Sequence, residues 1–252
     1  MQLNPTAKRT GVKHIALQTV GSTNAEALQQ VRHRERGPLW ITASSQTAGR
    51  GRRDNVWASP PGNLYASLLL TEPSPKALAP QLAFVAALAL RDALVDCGPR
   101  LAPLFKLKWP NDILLGADKL AGILIEGESV GAFAVVIGFG VNCVSHPLDT
   151  SRPATNLQLA GAPVSPDALF AALSAAMVRR MAQWQSGAGF ASIRANWLAC
   201  AASLGEEICV RLPERELRGR FKGLDEAGRL LLEQADGVVS VTAGEVFGLG
   251  GS

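Results

Sequence analysis

Residues 46–57 read QTAGRGRRDNVW, which crowds three arginines and two glycines into the five positions Gly49 to Arg53, with Trp57 four residues on. Glycine lets backbone N–H groups come close to a ligand. Arginine binds phosphate or carboxylate through two parallel hydrogen bonds. Trp57 offers a flat face to an adenine ring. The combination suits a nucleotide that must be covered while it reacts. A solvated basic turn with Trp57 in the core has the same residues, and the loop alone does not choose between the two.

Two further clusters narrow the choice. KWPNDILLGADKLAGILIE (108–126) places Lys108 and Lys119 on either side of a turn, with Asn111 and Asp112 just after Pro110. Pro-Asn-Asp is turn-forming by itself, but it does not account for Lys119 in an apolar strand. A buried lysine needs an anion, so Lys119 is expected to meet a carboxylate or phosphate, with Gly122 leaving room for it. In VVIGFGVNC (135–143), Gly138 and Gly140 alternate where a strand wants bulk. They bare one face for a flat ligand, or for close packing of a helix. The third glycine and following helix of a dinucleotide fingerprint are absent.

The elements that must position these residues are readable from periodicity and turn signals. Strands are expected over 13–20, 39–46, 63–71 and 131–142, with a hairpin flanking Gly116–Asp118. A helix opens at Ser22 or Thr23, with Glu26 placed for a capping box. Helices follow over 76–97, 165–185 and 189–200. From about Leu204 the texture changes to short strands joined by PER, DEAG and ADG turns, which suggests a small β-barrel. The expected fold class is α+β: a mixed central β-sheet packed with helices in residues 1–203, plus a small C-terminal β-barrel in 204–252.

Composition sets outer bounds. The 252 residues are 47% hydrophobic and 18% charged with a formal net charge of +4, which suits an anionic ligand without the basic excess of a dedicated nucleic-acid binder. Cys97, Cys143, Cys200 and Cys209 have no CxxC spacing, so neither a zinc site nor a disulfide framework is indicated. The longest apolar run, 82–90, is far short of the roughly 20 residues of a membrane span, and the N-terminus has no signal-peptide pattern. A cytoplasmic protein without membrane partners is expected. His14, His33 and His146 are scattered, in no triad or ligand spacing. Trp184 and Trp197 fall on helical stretches as core residues.

Taken together, GRGRRDNVW, KWPND, KLAGILIE and GFGVN, in this order and preceded by STN at 22–24, resemble the biotin–protein ligases from about residue 13 to the C-terminus. The resemblance implies two steps: biotin and ATP form biotinyl-adenylate, which is then passed to a lysine of a biotin carboxyl carrier protein, with Mg2+ as the ATP counterion. Ser22, Thr23, Asn24 and Gln46 would hold the head of biotin. Gly49, Arg50, Gly51, Gly122, Gly138 and Gly140 would line its pocket. Arg52 and Lys119 would face its carboxylate and the α-phosphate, and Asp112 would hold Mg2+ or orient the incoming amine; these three form the catalytic set. Arg53, Trp57, Asn111 and Asn142, with Arg52 and Lys119, would bind ATP, Trp57 covering adenine. The basic loop is expected to fold over the adenylate.

The family loop commonly continues with Gly-Arg where this chain has Asp54 and Asn55, which exchanges a cation for a carboxylate and leaves the hold on pyrophosphate open, with Arg53 as the compensating cation. No basic tail follows TAGEVFGLGGS. About a dozen residues precede the first strand, too few for a helix-turn-helix, so a ligase-only type without DNA binding is expected, as a monomer or weak homodimer. The competing readings are a lipoate–protein ligase or octanoyl transferase, and a non-catalytic biotin-adenylate-binding protein. The polar Ser22, Thr23 and Gln46 argue against the first, and the retained Arg52, Lys119 and Asp112 against the second.

Overall fold

The structure, a computed structural model, describes residues 1–148 and 153–248. A short helix α1 (Pro5–Lys8), capped by Asn4, leads into strand β1 (Lys13–Val20). Helix α2 (Thr23–Arg32) takes Ser22 as its N-cap, the hydroxyl accepting from Ala25 N–H. That choice puts Glu26 one place beyond the capping-box position, and its carboxylate accepts from Gln30 instead. Strands β2 (Leu39–Gln46) and β3 (Leu64–Thr71) follow as expected. The helix anticipated over 76–97 is split. Pro80 has no N–H to donate, and Lys76–Gln81 forms a 3-10 turn before helix α3 (Leu82–Cys97) begins.

Strands β4 (Phe105–Lys108), β5 (Asp112–Leu115), β6 (Asp118–Val130) and β7 (Ala132–Val141) form an antiparallel meander. The run FKLKWPNDILL is thus two short strands, broken at Trp109–Asn111. The seven strands order as β1-β2-β3-β7-β6-β5-β4, and β1 and β2 are parallel. Helices α4 (Pro166–Trp184), capped by Ser165, and α5 (Phe190–Leu198) pack with α3 over one sheet face. Lys76–Cys97 is long and apolar enough by composition to cross a membrane, and most of it is buried inside this layer. Trp184 and Trp197 are fully buried there.

On the opposite face, α2 covers only one end of the sheet. Ala27 and Val31 pack on Leu39, Ile41, Leu69, Ala134 and Val136. Beyond α2 that face is left for the loops and the second sheet.

The second sheet consists of β8 (Glu207–Arg211), β9 (Glu216–Leu224), β10 (Leu230–Gln234), β11 (Gly237–Val241) and β12 (Glu245–Gly248), in the order β11-β10-β9-β8-β12. It is not the closed barrel expected from sequence. The edge strands β11 and β12 pair only with β10 and β8, so the ladder never meets itself. Turn spacing counts strands but does not say whether the last finds the first. The sheet joins the main core through Ile208, Val210, Phe221, Leu230 and Leu232, and Trp109 donates to Gly228 O at 3.2 Å.

Candidate active site

Strand register explains why the site lies where it does. Across the face that α2 partly covers, three rows run through β3, β7 and β6: Leu69–Val136–Glu126, Ser67–Gly138–Leu124 and Tyr65–Gly140–Gly122. The last row continues to Asp112 on β5. The first lies under α2. The next two open into a cavity of about 340 Å³, within the range that holds a small ligand.

Lys119 reaches this face through an irregularity in the ladder. Strand alternation would put Lys119 and Gly122, three apart, on opposite sides. Between Ile113 and Leu114 the register slips: Ala121 pairs with Ile113, Lys119 with Leu114, and Leu120 is the extra residue. The bulge turns Lys119 onto Asp112's face, where Nζ lies 2.7 Å from Asp112 Oδ1. The anion this lysine needed is supplied first by the protein itself. Segment 153–155 follows the bulge, with Lys119 N–H donating to Pro153 O and Thr155 N–H to Lys119 O.

The basic loop is folded by Trp57 N–H donating to Gly49 O and Gly51 N–H to Asn55 O. Arg52 extends from it to donate to Asn111 Oδ1 at 3.2 Å and to Gly244 O at 3.5 Å, linking the loop to the second sheet. Burial and the neighbouring Arg53 pull the Arg52 pKa down, while Asp112 and Glu245 oppose them. Arg50, Arg52 and Lys119 line the cavity together with Asp112 and Glu245, Lys119 being paired with Asp112 and Arg50 with Glu126.

The faces bared by Gly138 and Gly140 are taken up by protein side chains. A Cβ on Gly138 would run into the Asn24 amide, and one on Gly140 would come within 2.5 Å of the Trp57 indole. Trp57 also lies against Gly122, with Lys119 Nζ 5.5 Å from its ring centre, and its buried indole N–H has no acceptor among the described residues. The glycines seat Trp57 and Asn24, which then form the wall.

Ser22, Thr23, Asn24, Gln46, Arg50, Gly51, Arg52, Trp57, Asn111, Asp112, Lys119, Gly122, Gly138, Gly140 and Asn142 all line this cavity. Asn142 is held by donating to Thr155 O. Gly49 and Arg53 lie off the wall. Gly49 is buried behind it, against Trp57 O and Ser59 Oγ, and Arg53 is exposed with a left-handed backbone.

Residues 17–142 match the model of the biotin/lipoate A/B protein ligase family, and residues 203–248 match the biotin protein ligase C-terminal domain. A Paracoccus denitrificans protein named biotin–[acetyl-CoA-carboxylase] ligase is 43% identical over 235 residues, covering 90% of this chain and 96% of its own. The chain belongs to the biotin protein ligase family. Among solved structures, a biotin protein ligase from Aquifex aeolicus in complex with biotin and ATP superposes with a TM-score of 0.78 at 26% identity, covering 93% of this chain and 97% of its own. A Leishmania major biotin protein ligase in complex with biotinyl-5-AMP gives a TM-score of 0.67 at 26% identity, covering 92% and 99%.

In this biotin protein ligase chain, several supporting residues escaped the sequence reading. Ser67, fully buried, bonds both Thr23 and Asn24. Ser59 accepts from Gln46 Nε2. Asn63 Oδ1 accepts from the N–H groups of Cys143, Val144 and Ser145 and so shapes the chain leaving β7. Glu126 joins Asn24 to Arg50. A signal existed for Glu126: counting by twos along β6 from Gly122 places it on the site face. Ser67 is a lone hydroxyl among apolar residues, a pattern that does not separate site from core.

Proposed function

We propose that the protein activates biotin with ATP to biotinyl-adenylate and transfers the biotinyl group to a lysine of a carboxylase's biotin carboxyl carrier subunit. One observation carries this reading. A single cavity joins a polar head, at Thr23 and Gln46, to a cationic end, at Arg52 and Lys119, with the Trp57 indole in its wall.

In the first step a biotin carboxylate oxygen bonds to the α-phosphorus of ATP, and the bond from that phosphorus to the bridging oxygen breaks, releasing pyrophosphate. Two anions must meet, and Arg52 and Lys119 offset their repulsion where the charge concentrates. In the second step the neutral ε-amine of the carrier lysine attacks the acyl carbon, AMP departs, and the amine proton leaves to solvent. Exclusion of water by the basic loop and Trp57 protects the anhydride between the steps.

Among the described residues no three His, Cys, Asp or Glu side chains gather as a metal site. Asp112 and Glu245 are the carboxylates in the wall. That donor set would suit Mg2+ only as an ion carried largely by phosphates and water, with Asp112, whose Oδ1 already pairs with Lys119, as its protein ligand. When bound it would neutralise phosphate charge. The chain is read as dividing near residue 203 into the catalytic part and the smaller sheet, whose Gly244–Val246 completes the cavity wall.

The test is incubation with ATP, biotin and a carrier domain, followed by mass spectrometry. A mass gain of one biotinyl group and biotin-dependent pyrophosphate release are expected. Lys119→Gln should lower adenylate formation by roughly 10²–10³-fold. Pyrophosphate release driven by lipoate but not biotin would sink the proposal.

A further inference from the structure

We propose that Glu126 is a positioning residue that sets the hydrogen-bonding polarity of the cavity's polar head through Asn24 and Ser67, while tethering the basic loop through Arg50. This deepens the proposed function and rests on it. Glu126 sits on β6, in the row just under the end of α2. Its carboxylate accepts from Asn24 Nδ2 at 2.8 Å and lies 3.0 Å from Arg50 Nη2. Both ion-pair partners are partly exposed, with side-chain exposures of 45% for Arg50 and 25% for Glu126. Such a pair contributes little to folding. What it does instead is order two cavity-lining elements against each other.

The chain of consequence follows from proton counting. An ionised carboxylate can only accept, so it draws the NH2 end of Asn24 and turns Oδ1 towards Ser67, 2.6 Å away. Ser67 has one proton. Ser67 also lies 2.8 Å from Thr23 Oγ1. That contact too has Ser67 as donor, so its single proton is divided between Asn24 Oδ1, the shorter contact, and Thr23 Oγ1. The Thr23 proton goes to Gln46 Oε1, 3.1 Å away. It stays within the network, so Thr23 meets a ligand as a hydrogen-bond acceptor. Gln46 is fixed in the same sense, with Oε1 accepting from Thr23 N–H and Nε2 donating to Ser59 Oγ. The head is thereby tuned to a ligand that presents an N–H, as a cyclic urea does. Leu124 O, 3.4 Å from the same Asn24 Nδ2, is the longer of its two acceptors, and Glu126 the shorter and charged one.

The experiment measures the dissociation constants of biotin and of ATP separately by calorimetry, with melting temperatures, for the wild type, Glu126→Gln, Asn24→Asp and the double variant. Glu126→Gln removes the charged acceptor of the Asn24 amide, leaving Leu124 O at 3.4 Å, and unties Arg50; biotin binding should weaken by about tenfold, with ATP binding changed by less than about threefold. Asn24→Asp sets two carboxylates together and should weaken biotin binding by more than tenfold. The double variant restores one donor and one acceptor across the contact, and its residue 24 still takes the Ser67 proton. It should recover biotin affinity to within about threefold of wild type. Losses in the double variant equal to the product of the single losses would overturn the proposal. So would an undiminished biotin affinity in Glu126→Gln, or equal weakening of biotin and ATP accompanied by a fall in melting temperature. A wild type that binds no biotin at all overturns the functional reading beneath it, whereas normal wild-type binding with any of the other adverse results overturns only the role of Glu126.

Discussion

The two faces of the seven-stranded sheet are built from the same strands, residue by alternate residue, and they do opposite things. Towards α3, α4 and α5 the rows read Leu68–Ile137–Ile125, Ala66–Phe139–Ile123 and Leu64–Val141–Ala121, all part of one continuous core. One residue over on each strand, the rows towards the cavity read Ser67–Gly138–Leu124 and Tyr65–Gly140–Gly122. One face gives up nothing to function because three helices cover it. The other is covered by α2 at one end only, and the uncovered part forms the site. The lesson is that stability and chemistry are separated here by the parity of a single strand position rather than by a domain boundary.

Substitutions at neighbouring positions can break or sharpen this contrast. Ile137→Ala, on the packed face, should cost about 2–5 kcal/mol of stability in urea unfolding, with adenylate formation per folded molecule within about twofold of wild type. A large loss of activity at full folding would show that the faces are not separable. Gly138→Ala, one residue along, drives a methyl group into the Asn24 amide. Its melting temperature should move little, while adenylate formation falls by roughly 10²-fold, the penalty for displacing a positioned group by about an ångström. The reverse pattern, stability lost and activity kept, would undo the assignment of that face.

The smallest effect concerns the first strand. His14 lies half-buried on β1, stacked on Phe170 at 4.9 Å and bonded to Thr42. Burial, then the N-terminal amine and Lys8, push its pKa below 6.5. The unfolded chain therefore binds the proton more readily. The stabilisation is complete above pH 6.5 and is lost as pH falls from there through the folded-state pKa. Melting temperature should fall on acidification from about pH 7 to 5, and His14→Gln should make that slope shallower. An identical slope in the variant would assign the effect to other groups.

Sequence reading was most successful where the information is local. Strand and helix segments follow from period and caps, and the helix start at Ser22 or Thr23 is legible, while the choice of Ser22 as the cap came from the structure. The errors share a cause. Pro80 split a helix that composition made continuous, and the PER, DEAG and ADG turns mark only four C-terminal strands, missing β12 and suggesting a closed barrel where the sheet is open. The role of Gly138 and Gly140 was half legible: the missing side chains were plain, but their occupants, Asn24 and Trp57, come from segments more than eighty residues earlier.

The sequence by itself determined the motifs, their order and the family they belong to, because motif and spacing are properties of a contiguous chain. Only the tertiary structure decided which of them meet. The bulge at Leu120 that turns Lys119 to Asp112 is a matter of register within one hairpin, while the reach of Arg52 to Asn111 and Gly244 and the link from Glu126 through Asn24 to Ser67 bring a loop and a helix onto strands far away in sequence. A slip of one residue in β6 would send Lys119 and Glu126 to the other face without altering any motif.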